Sequence, residues 1–188
     1  MNVVELCDAP EQAWRNGGGI TRELLAWPAD APWQLRVSVA EIIKDGNFSA
    51  FPGVQRWFSV LEGAGVELCF AHSRQLLGVT SAPCSFDGAA APACRLLGGA
   101  TRDLNLMVRH DAGQGSMARL VTGAAWHSAA PWRAVFTTGT LSLNTGRGAA
   151  LALPSGCLAW NGAAAGQIWH ADGDDSPAWW LSFQRHLR

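Results

Sequence analysis

A single lysine, Lys44, stands against thirteen arginines, tyrosine is missing, and charged residues make up only 15% of the 188-residue chain. The net charge of −1 offers no basic surplus for phosphates, so nucleic acid and anionic membranes are not expected partners. No apolar run approaches the length that spans a bilayer, and the start, Met1 to Leu6, lacks the basic and long apolar regions of a signal peptide. The expectation is a soluble, cytoplasmic protein. The five cysteines (7, 69, 84, 94 and 157) form no CxxC pair; Cys69, Cys84 and Cys157 lie in apolar surroundings and read as buried free thiols. The histidines (72, 110, 127, 170 and 186) include no His-x-His, so no metal and no cofactor are expected. There is no G-x-S-x-G elbow around a serine, and Gly17 to Gly19 are followed by no Lys-Ser/Thr, so neither nucleophilic catalysis nor a phosphate loop is indicated.

What the chain has is hydrophobic residues, 48% of the total, enough for a proper core. They fall in short strand candidates, such as Thr21 to Trp27, Leu35 to Ala40, Val54 to Leu61, Asp103 to Arg109, Leu141 to Asn144 and Trp179 to Gln184. Gly, Pro, Asn or Asp punctuate them every eight to twelve residues. That spacing, with no sustained 3.6-residue period, predicts an all-β barrel or sandwich. Gly63-Ala-Gly65 reads as a hairpin turn, residues 110–116 as a linker, and 184–188 as a frayed tail. The ten tryptophans have no explanation at this level.

The stretch from Leu35 to Glu62 concentrates the polar candidates. Leu35, Val37 and Val39 take one face of a strand while Arg36, Ser38 and Ala40 take the other. Asp45-Gly46-Asn47 reads as a turn, Phe48 to Phe51 as a short aromatic loop closed by Pro52-Gly53, and Arg56 lies on the returning strand. Two guanidiniums framing aromatic rings suit a small acidic ligand: apolar walls shed water and a planar fork of donors meets a carboxylate. Arg56 and Arg36 are therefore the primary ligand candidates. Trp14, Phe48, Phe51 and Phe86 are candidate walls, and Asn16, Thr21, Ser38 and Asn105 candidate neutral hydrogen-bonding groups. Asp103 is placed to orient Arg36, Arg56 or Arg109, and Arg109 joins it in that supporting role.

Three segments together, WRNGGGITRE (14–23), R-x-S-x-A (36–40) running into DGNFSAFPG (45–53) with Arg56, and DLNLMVR (103–109), resemble the HutD/Ves family. Trp14, Asn16, Gly18, Gly19 and Thr21 fall on the first motif. The second takes in Arg36, Ser38, Phe48, Phe51, Pro52, Gly53 and Arg56, and the third Asp103, Asn105, Met107 and Arg109. The resemblance implies a cupin-like fold of the RmlC-like jelly-roll kind, a double barrel with both lobes in one chain (a bicupin). Sub-barrels would fall at about 1–112 and 113–188, with exchanged strands left open. It also implies a pocket for a small carboxylate metabolite, such as urocanate or N-formylglutamate, that modulates histidine utilisation. The Ves branch carries only a stress-related label. The rival readings are a cupin enzyme acting on a small carboxylate, and an interaction module working through its glycine motif and tryptophans. A monomer and a homodimer both fit.

Overall fold

The computed structural model describes residues 1–186. In chain order the strands are β1 (Asn2–Glu5), β2 (Glu11–Ala13), β3 (Gly19–Trp27), β4 (Leu35–Ile42), β5 (Gly46–Asn47), β6 (Val54–Glu62), β7 (Val66–Cys69), β8 (Arg74–Leu77), β9 (Cys84–Asp87), β10 (Ala93–Leu96) and β11 (Thr101–Arg109). They continue as β12 (Gly113–Arg119), β13 (Trp126–His127), β14 (Trp132–Thr137), β15 (Leu141–Asn144), β16 (Leu151–Leu153), β17 (Cys157–Asn161), β18 (Ile168–Gly173) and β19 (Ala178–Arg185). Two 3-10 turns, at Leu6–Asp8 and Gly88–Ala90, are the only helical elements among the described residues, so the all-β expectation holds. None of the four sheets closes on itself among those residues; each strand order is open.

The chain divides into two units. Ala9–Gly113 holds a six-stranded sheet, β2-β3-β4-β11-β6-β9, and a four-stranded sheet, β5-β10-β7-β8. Period-two alternation drives Phe58 and Val60 of β6 and Phe86 of β9 into one core cluster with Phe48, Val66, Leu68 and Cys94. On β4 and β11 the other face, with Leu35, Val37, Leu104 and Leu106, is fully buried too. These strands therefore alternate between a purely apolar face and a mixed one, not between core and water. The second unit joins Met1–Asp8 to the chain from Gln114 onward, in a five-stranded sheet β1-β17-β14-β19-β12 and a four-stranded sheet β13-β18-β15-β16. Its core explains several tryptophans: Trp169 and Trp180 are buried in it, and Trp126 stacks on Trp180 with ring centroids 4.7 Å apart. Arg133 is wholly buried there and spends its donors on the carbonyls of Ala130, Gln167 and Ser128.

Several local expectations are corrected. Asp45-Gly46-Asn47 does not make a turn: Gly46 and Asn47 extend as β5 and pair with Cys94 and Ala93 of β10. Gly63-Ala-Gly65 is no hairpin between paired strands, because β6 and β7 belong to different sheets. Both glycines have positive φ, and a Cβ on Gly65 would meet the Leu77 carbonyl oxygen at 2.2 Å. The linker expected over 110–116 ends early, since Gly113 opens β12. Cys69 is only half-buried, whereas Cys94, not singled out in the sequence, is buried. Of the expected tail, Gln184 and Arg185 complete β19, and residues 187 and 188 lie outside the described residues.

Candidate functional site

The register of the six-stranded sheet sets the site. Arg36 of β4, Met107 of β11, Arg56 of β6 and Phe86 of β9 stand in one cross-strand row. Ser38 and Asn105 pair in the next row, and Ala40 and Asp103 in the one after. On β3, Glu23 stands opposite Ser38 and Thr21 opposite Ala40. All but Glu23 and Phe86 line a cavity of about 430 Å³, together with Trp14, Asn16, Phe48 and Phe51. That volume suits a small metabolite. Two loops complete the wall. In the first, the Asn16 carboxamide accepts a hydrogen bond from Gly18 N (2.9 Å), and the Trp14 indole donates to Thr21 Oγ1 (2.8 Å). Gly19 passes so close to β4 that a Cβ would sit 2.3 Å from the Glu41 carbonyl oxygen. In the second, Phe48 N and Phe51 N donate to the Pro92 and Gly88 carbonyls, pinning the aromatic loop at both ends.

Arg56 is the centre of the arrangement. It is 7% exposed, and its guanidinium carbon lies 5.0, 5.7 and 5.2 Å from the ring centroids of Phe48, Phe51 and Phe86. One nitrogen, Nη2, donates to Asn105 Oδ1 at 2.8 Å, while among the described residues Nε and Nη1 have no partner. The Asn105 amide then donates to Asp103 Oδ1, and Asp103 Oδ2 is left unpartnered. Burial pulls the guanidinium down to about 10, Arg36 pushes the same way, and Asp103 opposes both. Burial likewise pushes the Asp103 carboxyl up to about 8, and Arg56 draws it back. A guanidinium separated from the nearest carboxyl by an amide, with two N–H groups unsatisfied, retains its capacity to bind an anion.

The expected site residues divide accordingly. Arg56, Arg36, Trp14, Asn16, Thr21, Ser38, Phe48, Phe51, Asn105 and Asp103 come together. Phe86 packs on Arg56 in the core and does not line the cavity. Arg36 is held not by Asp103 but by Glu23, Nε to Oε2 at 2.5 Å, because β3, which pairs with β4 on the side away from β11, carries the carboxylate. Arg109 does not support the site: it pairs with Asp111 two residues on, at 2.5 Å, and lines a separate, more open hollow with Trp33 and His110. Sequence reasoning missed Gln12, Arg15, Asn47, Ser49 and Met107 as lining residues. The signal for Met107 was present, since it alternates in phase with Asp103 and Asn105. Among the described residues, the grouping of His, Cys, Asp or Glu that would fit an ion is Glu5, Cys7 and Asp8, all exposed and outside the cavity.

The all-β fold of open antiparallel sheets, with a small cavity inside one of its units, is cupin-like. Its backbone follows the cupin 2 conserved barrel domain protein of Leptotrichia buccalis, with a TM-score of 0.55 at 11% identity over 98% of this chain and 96% of that one. The family model HutD matches residues 7–175, and the chain belongs to that family. It is similar to the solved structure of a conserved protein of unknown function from Pseudomonas aeruginosa PAO1 (TM-score 0.87, 27% identity, 99% of both chains). It is also similar to HutD from Pseudomonas fluorescens SBW25 in a formate condition (TM-score 0.84, 26% identity, 99% of both). Among curated relatives it is 39% identical, over 111 residues, to an uncharacterized 21.2 kDa protein in the hutC 3′ region of Pseudomonas putida. It is 36% identical over 117 residues to protein Ves of Citrobacter koseri. The matches span 57% and 59% of those relatives' lengths.

Proposed function

We propose that the chain is a cytoplasmic, non-catalytic or weakly catalytic cupin-type protein that binds a small carboxylate metabolite, urocanate or an N-formylglutamate-like acid, and so modulates histidine utilisation. The observation that carries this reading is Arg56, a buried guanidinium with two unpartnered N–H groups inside an aromatic-walled cavity. The ligand's carboxylate takes those donors, the phenylalanine rings exclude water, and Asn105 fixes the plane of the fork. The pathway comes from family membership and from the hut-linked names of relatives, not from the cavity. With this reading goes the assignment of the two units as the lobes of a bicupin with an exchanged N-terminal strand; its support is β1, which pairs with β17 of the second unit.

The test is calorimetry on metal-analysed protein with urocanate, N-formylglutamate, histidine and formate, repeated on Arg56→Ala. Saturable binding of one acid, lost in the variant, supports the reading. A folded wild-type protein that takes up none of them sinks it.

A further inference from the structure

Asp103 is the cavity group that carboxylate binding leaves unexplained. It is 1% exposed, lines the cavity, accepts the Asn105 amide at Oδ1 and, among the described residues, has no partner at Oδ2. The charged groups facing it are few. Arg56 reaches it from β6 through Asn105, and Arg36 of β4 is held by Glu23 of β3. The Cys94 thiol of β10, near enough to feel Asp103, is pushed up to about 12 by burial and stays neutral. Arg15 also lines the cavity but is exposed, so Arg56 is the one buried cavity guanidinium without an ion-pair partner among the described residues. A bound carboxylate beside an ionised Asp103 would place two buried negative charges against it, and the surplus charge is costly away from water.

We propose that Asp103 determines the charge specificity of the site: it stands in the loaded cavity as a neutral carboxylic acid and donates from Oδ2 to an oxygen of the bound acid. One ionised carboxylate group of the ligand enters the site; where Asp103 is already neutral no proton is taken up, and where it is ionised one proton comes from solvent. This deepens the carboxylate-binding reading and rests on it. The site so built takes a fully ionised, singly charged carboxylate end and disfavours a doubly charged oxyanion. The carboxyl group's position in free protein, raised by burial to about 8, sets where the proton begins to be taken up.

The experiment is titration calorimetry with formate and with N-formylglutamate, neither of which titrates between about pH 6 and 9. It uses the full chain, in pairs of buffers differing in ionisation enthalpy, on wild type and on Asp103→Asn. The expected result is constant affinity up to about pH 8, then a fall of about tenfold per pH unit. The calorimetric proton count rises from near zero to near one over the same range. Asp103→Asn, which keeps shape without a titrating proton, is expected to bind with no pH slope and no proton uptake. Binding by wild type with no proton uptake at any pH, or an unchanged slope in Asp103→Asn, overturns the proposal and leaves carboxylate binding intact. No acid heat at any pH overturns both. The wild-type proton count decides the matter even where the variant folds poorly.

Discussion

Replacing Arg56 by methionine separates what this residue does for the fold from what it does for the ligand. In the free protein two unpartnered, desolvated N–H groups cost about 1–3 kcal/mol each. Against that stand three aromatic contacts at about 0.5–2 kcal/mol each and one charged hydrogen bond to Asn105 at about 1.5–3 kcal/mol. The two sides nearly cancel. A methionine of similar reach keeps contact with Phe48, Phe51 and Phe86 and recovers about 0.3–1.5 kcal/mol for a sulfur near each ring it meets. It leaves Asn105 Oδ1 without its donor. Net stability is therefore expected to move by no more than about 2 kcal/mol, or roughly 4–8 °C in Tm for a chain of this size. Below about pH 7 Asp103 is mostly neutral, so losing its countercharge there matters little. Acid binding is expected to behave quite differently: loss of a buried charge partner costs about 2–5 kcal/mol, roughly 30- to 5,000-fold in Kd. Thermal denaturation and formate calorimetry at pH 6 on the same preparation read both. An Arg56→Met protein that melts 15 °C or more below wild type, or that binds acid as tightly as wild type, would refute the reasoning, because the guanidinium would then be serving the core rather than a ligand.

Three further outcomes are expected. Gly19→Ala should destabilise by about 1–3 kcal/mol, because its Cβ would meet the Glu41 carbonyl oxygen at 2.3 Å, whereas Gly78→Ala, with nothing within 4 Å, should melt like wild type. Urea unfolding of wild type and Asp103→Asn from pH 4 to 9 should diverge with pH. The Asp103 carboxyl is raised in the fold from 3.8 to about 8, so its stabilising contribution is whole below about pH 4 and is lost as pH rises to about 8; a constant difference between the two proteins would contradict the burial of Asp103. A colourimetric thiol reagent at pH 8 should reach exposed Cys7 first, at a rate held down because burial and the neighbouring Asp8 and Glu5 carboxylates raise its thiol, then half-buried Cys69, and Cys84, Cys94 and Cys157 only on unfolding. Rapid reaction of all five would contradict the core packing.

Much of the site was legible because a strand's period is exact over a few residues. Arg36 and Ser38, Asp103 and Asn105 share faces in the sequence, and they share a cavity in the structure. The register that brings Arg56 beside Met107 was not legible, since it is fixed by pairing across the sheet. Arg109 was misread for a related reason: β11 ends there, the backbone turns so that His110 N reaches the Gly53 carbonyl, and alternation no longer says where a side chain points. Gly46-Asn47 and Gly63-Gly65 show a second limit. Their residue types permit a turn, but whether the chain extends, folds back or crosses to another sheet was decided by pairing: by β10, remote in sequence, for Gly46-Asn47, and by the close approach of β8 for Gly65. Glu23 escaped notice as the partner of Arg36 because a register shift between Glu23 and Leu25 resets the alternation of β3.

The pairing of β1 with β17, Asn2 opposite Trp160 and Glu5 opposite Cys157, also has a consequence in time. A ribosome adds about 5–20 residues per second, so β1 waits roughly 8–30 s for the strand it will bond. All of Ala9–Gly113 is synthesised in that interval and has its own sheets and core to form. β1 is thus made well before its partner strand, and in the meantime a nascent chain carries Val3 and Val4 as an unpaired apolar edge.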